Sequence, residues 1–202
     1  TTGKLQTAIT NGNTDYSNAL QDIEDYAEND GSGTTPSANT FLLAGVDVVA
    51  PSNVTDSDLI AAVNSTLAAS STADTDADAT SKVQAIVDDY ASVLEAAANN
   101  GALNLTDADY TGLGVTGVDA NGATLLNSVV PDKAIADVDG ASKLQTLADQ
   151  AGEVLALADN ADPAPDVTKG DLEDLGITGI TDDKLAAVLG AIADSDSGSV
   201  NT

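Results

Sequence analysis

The chain has no cysteine, histidine, arginine, methionine or tryptophan, and only one phenylalanine and four tyrosines in 202 residues. Each absence closes a class of chemistry. Without cysteine there are no disulfides, thiolate metal sites or cysteine nucleophiles. Without histidine the usual general base is missing, and without arginine the usual phosphate clamp is missing. No Gly-x-Ser-x-Gly elbow or phosphate loop is present, and carboxylate pairs are so frequent that none stands out as an acid and base. The expectation is that this is not an enzyme, with no catalytic and no cofactor-binding residues. No apolar run approaches the roughly 18 residues of a membrane span, and no signal peptide is evident. With so few aromatics, the core must rest on Ala, Val, Leu and Ile, which suits closely packed helices.

Positive charge is almost as scarce. Six lysines face 33 acidic residues, of which 28 are Asp, giving a formal net charge of −27. Such a chain repels nucleic acid and anionic membranes, so neither is expected as a partner. It should attract cations, and an Asp-rich surface fits a salty or calcium-containing medium.

What the sequence does contain, it contains three times. Lys4-Leu5-Gln6, Lys82-Val83-Gln84 and Lys143-Leu144-Gln145 open three stretches, spaced by 78 and 61 residues. Each stretch then carries a Gly-aliphatic signature: Ala44-Gly45-Val46-Asp47-Val48, Leu113-Gly114-Val115-Thr116-Gly117-Val118 and Leu175-Gly176-Ile177-Thr178-Gly179-Ile180. Each closes on an Asp-rich junction. Repetition at a near-fixed period marks an array of modules. Copies of this size lie near the lower limit for folding alone, so neighbours should support one another.

The third copy reads most simply. Leu144, Leu147, Ala148, Ala151, Val154, Leu155 and Ala158 fall at helical spacing, which predicts a helix over about residues 142–159. Thr168 caps a short helix running to Leu175, where Gly176 suits the terminus with a positive φ. Ile177-Thr178-Gly179-Ile180 is an extended connector expected to tuck two aliphatics into the core. Thr181 then caps a third helix, with Leu185, Val188, Leu189 and Ile192 as its buried stripe. The second copy follows the same plan. Its long helix carries Val83, Ile86, Val87, Tyr90, Val93, Leu94 and Ala97, and Thr106 caps its short helix. Its last helix begins at Asp119 or Asn121, and Pro131 interrupts it or sits just after it. The first copy is longer, with insertions expected near residues 10–18 and 29–40, the segment 29–37 reading as a mobile surface loop, and at Ala50-Pro51-Ser52-Asn53-Val54. The predicted fold is all-α: a tandem array of three small three-helix units with short extended connectors, spanning 1–78, 79–140 and 141–202.

Two kinds of site are worth naming. Asp74, Asp76 and Asp78 alternate along one junction, and Asp137 with Asp139 and Asp194 with Asp196 occupy the equivalent places. Hard Ca²⁺ takes six to eight oxygens, so these are the candidate metal ligands, with calcium the expected ion. None completes an EF-hand loop, and helix capping explains the same residues. Asn53-Val54-Thr55, Asn64-Ser65-Thr66 and Asn104-Leu105-Thr106 match the N-glycosylation pattern, which chance readily produces in an Asn- and Thr-rich chain.

Lys-Leu-Gln-x-Leu-Ala-Asp, Asp-Leu-x-x-Leu-Gly-Ile-Thr-Gly-Ile, Asp-Lys-Leu-Ala-Ala-Val and Ala-Asp-Ser-Asp-Ser-Gly in the third copy resemble the acidic tandem helical repeats of very large bacterial surface proteins, adhesin-like and biofilm-associated. The resemblance covers nearly all of the chain and is weakest in the first copy. It implies an extracellular, cell-surface location and a structural or adhesive role. The expected function is therefore a non-catalytic structural module giving length, spacing and end-to-end association. The rivals are a self-assembling subunit of an extracellular filament or surface layer, and a three-helix protein-binding module. The expected partners are copies of itself or adjacent repeats, head to tail. A fourth copy begun where the chain stops would place its Lys 63 residues after Lys143, close to the second period. With no Met and an initial Thr, the chain reads as a processed or excised segment, or as a subunit that meets its own kind.

Overall fold

A computed structural model describes residues 2–69, 77, 79–161 and 163–200. The protein is all-helical, with no strand among those residues. Among the described residues eleven α-helices follow in chain order: α1 Thr2–Glu28, α2 Ala38–Leu43, α3 Asp56–Leu67, α4 Thr80–Asn99, α5 Asp107–Gly112, α6 Ala120–Val129, α7 Ile135–Val138, α8 Ala141–Ala158, α9 Lys169–Asp174, α10 Asp182–Ala193 and α11 Ser197–Val200. A 3₁₀ turn, Val130–Asp132, follows α6 and contains Pro131.

The short helices show how local chemistry sets the boundaries. Ser37, Thr106 and Thr168 each sit in extended backbone and accept a hydrogen bond from the backbone N–H three residues on. Thr40, Asp109 and Asp171 return the bond to the cap's own N–H. Two orphan donors are satisfied at each start. At the other end Gly45, Gly114 and Gly176 take φ of 73°, 79° and 87°. The next residue then reaches back five positions: Val46 to Phe41, Val115 to Tyr110, Ile177 to Leu172, at 2.9, 2.9 and 2.8 Å. This αL closure suits glycine because a Cβ is disfavoured there. The residue inside each short helix, Phe41, Tyr110 or Leu172, is fully buried.

The long helices carry the core. Val83, Ile86, Val87, Tyr90, Val93, Leu94 and Ala97 of α4 are all buried, as are Leu144, Leu147, Ala148, Ala151, Val154, Leu155 and Ala158 of α8. The aromatics, though few, are core residues: Phe41, Tyr90 and Tyr110 are among the largest fully buried side chains, and Tyr16 alone is exposed. Each full burial of this kind is worth about 2–3 kcal/mol. Packing links consecutive copies. Helix α3 lies on α4, and α6 lies on α8. Helix α3 also touches α8, where Ser65 accepts the Ala141 N–H at 3.1 Å, so the first copy meets the third as well as the second.

Several expectations need correction. The segment 10–18 is not a loop insertion, because α1 runs unbroken through it. The segment 29–37 is pinned: Asn64 Nδ2 donates to the Pro36 carbonyl at 2.9 Å, and a Cβ on Gly31 would lie 2.5 Å from that of Ala68. Thr181 stands at the N-cap of α10 without a side-chain capping bond. The stripe Leu185, Val188, Leu189 and Ile192 is half-buried and α10 has no buried residue. Of the connector's two aliphatics, Ile180 is buried and Ile177 is 42% exposed. The last two have one cause. Helix α10 packs on α8 of its own copy, and among the described residues no following long helix covers its outer face as α4 covers α3 and α8 covers α6.

Candidate functional site: the junctions between copies

The glutamines near the starts of α4 and α8 each hold a stretch of backbone from the preceding copy. Gln84 Oε1 accepts the Asp47 N–H at 2.7 Å, and its Nε2 donates to the Asp47 carbonyl at 3.1 Å. Gln145 does the same to Thr116, accepting its N–H at 2.8 Å and donating to its carbonyl at 3.1 Å. In both cases the held peptide lies two residues past the αL glycine of the preceding copy. A primary amide carries one acceptor and donors on the same plane, so it matches an extended peptide's N–H and C=O together. The amides are braced from behind, since Nε2 also donates to Asp88 at 2.8 Å and to Asp149 at 2.7 Å. Thr80 adds a third bond at the first junction, its hydroxyl donating to the Ala44 carbonyl at 2.8 Å. Val46 and Val115, beside the clamped peptides, are 2% and 0% exposed. A cleft of about 660 Å³ borders the second junction, lined by Ser65, Gly114, Thr116, Ala141 and Gln145 among others.

The third set of parts is present but unpaired. Neither polar group of the Thr178 peptide has a partner among the described residues, nor does the Gln6 side chain. Every described side chain over residues 2–18 is exposed. The apolar stripe of α1 nevertheless runs through that half: Leu5, Ile9 and Tyr16 lie on the helical face that continues into the buried Ala19, Ile23 and Tyr26, with Gly12 at the one intervening position that lacks a bulky apolar side chain. Leu5 and Ile9 are 64% and 49% exposed, whereas their counterparts Val83 and Val87 in α4 are buried, as are Leu144 and Ala148 in α8. The other large apolar groups exposed among the described residues are Leu42, Leu43 and Val49 in the first copy and Ile177 in the third.

The acidic residues singled out from sequence fall in different places. Asp74, Asp76 and Asp78 lie outside the described residues. Asp137 accepts the Ala134 N–H at 3.3 Å and so starts α7. Asp139 pairs with Lys143 at 2.6 Å. Asp194 ends α10, and Asp196 accepts the Ser199 hydroxyl at 2.9 Å. Among the described residues no group of three or more acidic side chains is placed to share one ion. Asn64, the middle of the three glycosylation matches, is buried with its amide on Pro36, while Asn104 is exposed.

Titration is perturbed at few positions. Burial pushes the Asp89 carboxyl up to about 6, with Asp109 and Asp88 adding like-charge repulsion. Burial also raises the Tyr90 and Tyr110 phenols above the usual tyrosine range. Asp171 is held below the usual carboxylate range by the hydroxyl and N–H of Thr168. Tyr110 donates to Asn127 Oδ1 at 3.1 Å, and Asn127 also holds the Leu105 N–H and C=O, at 3.2 and 2.8 Å. This second two-bond amide clamp works inside one copy. No helix among the described residues is long and apolar enough to cross a membrane.

No protein family, curated protein or solved structure matches this chain. The site is therefore defined by its own geometry: a junction built twice, with the two halves of a third left facing outward.

Proposed function

We propose that this chain is a non-catalytic structural module of an extracellular bacterial surface protein or fibre, supplying length, spacing and end-to-end association. In this reading residues 1–78, 79–140 and 141–202 are successive helical repeats, each leaning on the next. The observation that carries it is the glutamine clamp, made with the same atoms at two junctions of related sequence. A joint that recurs within one chain serves propagation of an array better than it serves a single reaction centre. The charge of −27 keeps such an array from collapsing on itself or onto nucleic acid. Calcium at the Asp-rich junctions would stiffen it. The test is small-angle scattering on the chain and on a head-to-tail fusion of two chains, with calcium and with chelator. The largest dimension should grow by roughly twofold in the fusion at nearly constant cross-section. A fusion that instead folds into a broader, compact particle would sink the reading.

A second reading, a self-assembling subunit of a filament or surface layer, is favoured by the apolar residues exposed at both ends, Leu5 and Ile9 on α1 and Ile177 before α10. It differs from a passive spacer in requiring growth with protein concentration.

A further inference from the structure

We propose that the exposed half of α1 docks on the α10 end of a second copy of this chain, with Gln6 closing on the Thr178 peptide. This rests on the reading of the chain as a module that associates end to end, and it names the surface, the register and the atoms.

The argument is continuity with an interface the molecule already makes twice. On one side stands a long helix whose third to eighth residues read Lys-Leu-Gln-x-x-Ile in α1, as Lys-Val-Gln-x-x-Val in α4 and Lys-Leu-Gln-x-x-Ala in α8. On the other side stand an αL glycine, a following aliphatic, an extended peptide and a medium helix. Gly176, Ile177, Thr178 and α10 occupy the places of Gly45, Val46, Asp47 and α3, and of Gly114, Val115, Thr116 and α6. The φ of Gly176, the bond from Ile177 to Leu172 and the capped α9 show that the receiving side is already folded as in the other two copies. It needs little reorganisation to accept a helix, and preorganisation lowers the cost of binding.

Burial says what should cover what. Counting from the N-caps Thr55, Asp119 and Thr181, the residue at the fourth position is Leu59, Ala123 or Leu185, and at the seventh Ala62, Leu126 or Val188. The first two members of each set are 0–4% exposed, while Leu185 and Val188 are half-buried. The same contrast separates Ile177 from Val46 and Val115, and Leu5 and Ile9 from Val83 and Val87. Both exposed faces thus have buried counterparts, and at the two internal joints the corresponding helices, α3 with α4 and α6 with α8, pack on each other. Thr2, equivalent to Thr80, stands where its hydroxyl meets the Leu175 carbonyl as Thr80 meets that of Ala44. One part differs. Thr10 stands where Asp88 and Asp149 brace the two internal glutamines, so Gln6 lacks that brace and the docked joint is weaker than the internal ones.

The test uses the whole chain, followed by sedimentation equilibrium and light scattering over a concentration series at high ionic strength. The wild-type chain should grow head to tail. A Leu5→Asp/Gln6→Ala variant and an Ile177→Asp variant should each stop growth, because each blocks one end. Mixed, they should form a dimer and nothing longer, since each keeps the end the other has lost. Gln6→Ala alone should weaken association by roughly tenfold, the worth of one or two hydrogen bonds. All the altered side chains are exposed, and helical circular dichroism and melting temperature would confirm that the variants fold. A wild-type chain that stays monomeric throughout overturns this docking while leaving a spacer role intact. Growth that survives in both blocked variants also overturns it, with end-to-end association then resting on other surfaces.

Discussion

Gln84 and Asp47, 37 residues apart, share two hydrogen bonds through which the amide of one reads the peptide of the other, at 2.7 and 3.1 Å. The bond pair resembles one rung of a β-ladder supplied by a side chain. It joins one sequence copy to the next without a sheet, and it depends on backbone geometry at Asp47 rather than on its side chain. Thr116 can therefore take the same place at the next junction.

Gln84→Ala should destabilise the chain by about 1 kcal/mol, because water can replace the lost bonds at this exposed site only in part. Gln145→Ala should cost a similar amount, and the double variant close to the sum, since the junctions use different partners. Urea unfolding of the single and double variants measures this. Asp47→Ala should leave the clamp intact and serves as the control.

Gly31→Ala and Gly176→Ala should separate steric from conformational cost. Both glycines have positive φ, of 76° and 87°. Around Gly176 a Cβ meets nothing within 4 Å, so only the αL penalty of about 1–2 kcal/mol applies. At Gly31 it would meet the Ala68 Cβ at 2.5 Å, and overpacking adds at least about 1 kcal/mol more. Equal thermal shifts for the two variants would contradict this packing of the 29–37 segment on the end of α3.

Asp89 should make the chain more stable in mild acid. Its folded value of about 6 lies above the ordinary aspartate value of 3.8, so the folded state holds its proton longer. The associated stability is fully present below about 3.8 and is lost as pH rises through about 6. Asp89→Asn should therefore raise stability at neutral pH, by about 1 kcal/mol after allowance for solvent screening. It should also flatten the pH dependence between those two values. Asp171 has the opposite sign: its lowered value contributes stability above the ordinary Asp range that is lost as pH falls through the folded value. Melting temperatures from about pH 2 to 8 for wild type and Asp89→Asn, with Asp171→Asn as the counterpart, resolve the two, since Asp89 acts across the upper part of that range and Asp171 only below the ordinary Asp value.

Salt should strengthen both folding and association. With a net charge of −27, the dominant long-range force between and within chains is repulsion. Raising ionic strength from about 0.01 M to about 1 M cuts the screening length from about 30 Å to about 3 Å. Melting temperature and particle mass should both rise with sodium chloride. A fall in association with salt would mean that attractive ion pairs, rather than the clamp and its apolar flanks, hold the ends together.

Asn127→Ala should cost about 2–3 kcal/mol, more than loss of either junction glutamine, because it strands the Leu105 peptide and the Tyr110 hydroxyl in a partly buried place. Denaturant titration beside Gln84→Ala makes the comparison.

Much of this architecture is legible in the chain. Helical spacing located α8 to within a residue and picked out the buried face of α4, because an apolar stripe is a local signal. Thr106 and Thr168 cap where expected, and Gly45, Gly114 and Gly176 end the short helices, because capping and αL closure are settled within a few residues. The clamp was not legible. The Lys-x-Gln openings stood out as a repeat, yet nothing local says that an amide will find a peptide 37 or 29 residues away. The signal that pointed to it was the recurrence of Gln at one register in all three copies. Asn127 gave no such signal, since its counterparts Val63 and Leu189 are apolar.

The buried stripe expected in α10 shows where sequence reasoning stops. Leu185, Val188, Leu189 and Ile192 have the right spacing, but periodicity identifies a face and not what lies against it. The sequence by itself determined the helical class, the threefold recurrence, the caps and the apolar face of each helix, all of which depend on neighbours within about two turns. Tertiary structure alone decided which faces are covered. It set α4 over α3 and α8 over α6, carried the first copy into contact with the third, and left the first half of α1 and the outer side of α10 open. Burial is a property of two surfaces together, and only the fold brings the second surface to the first.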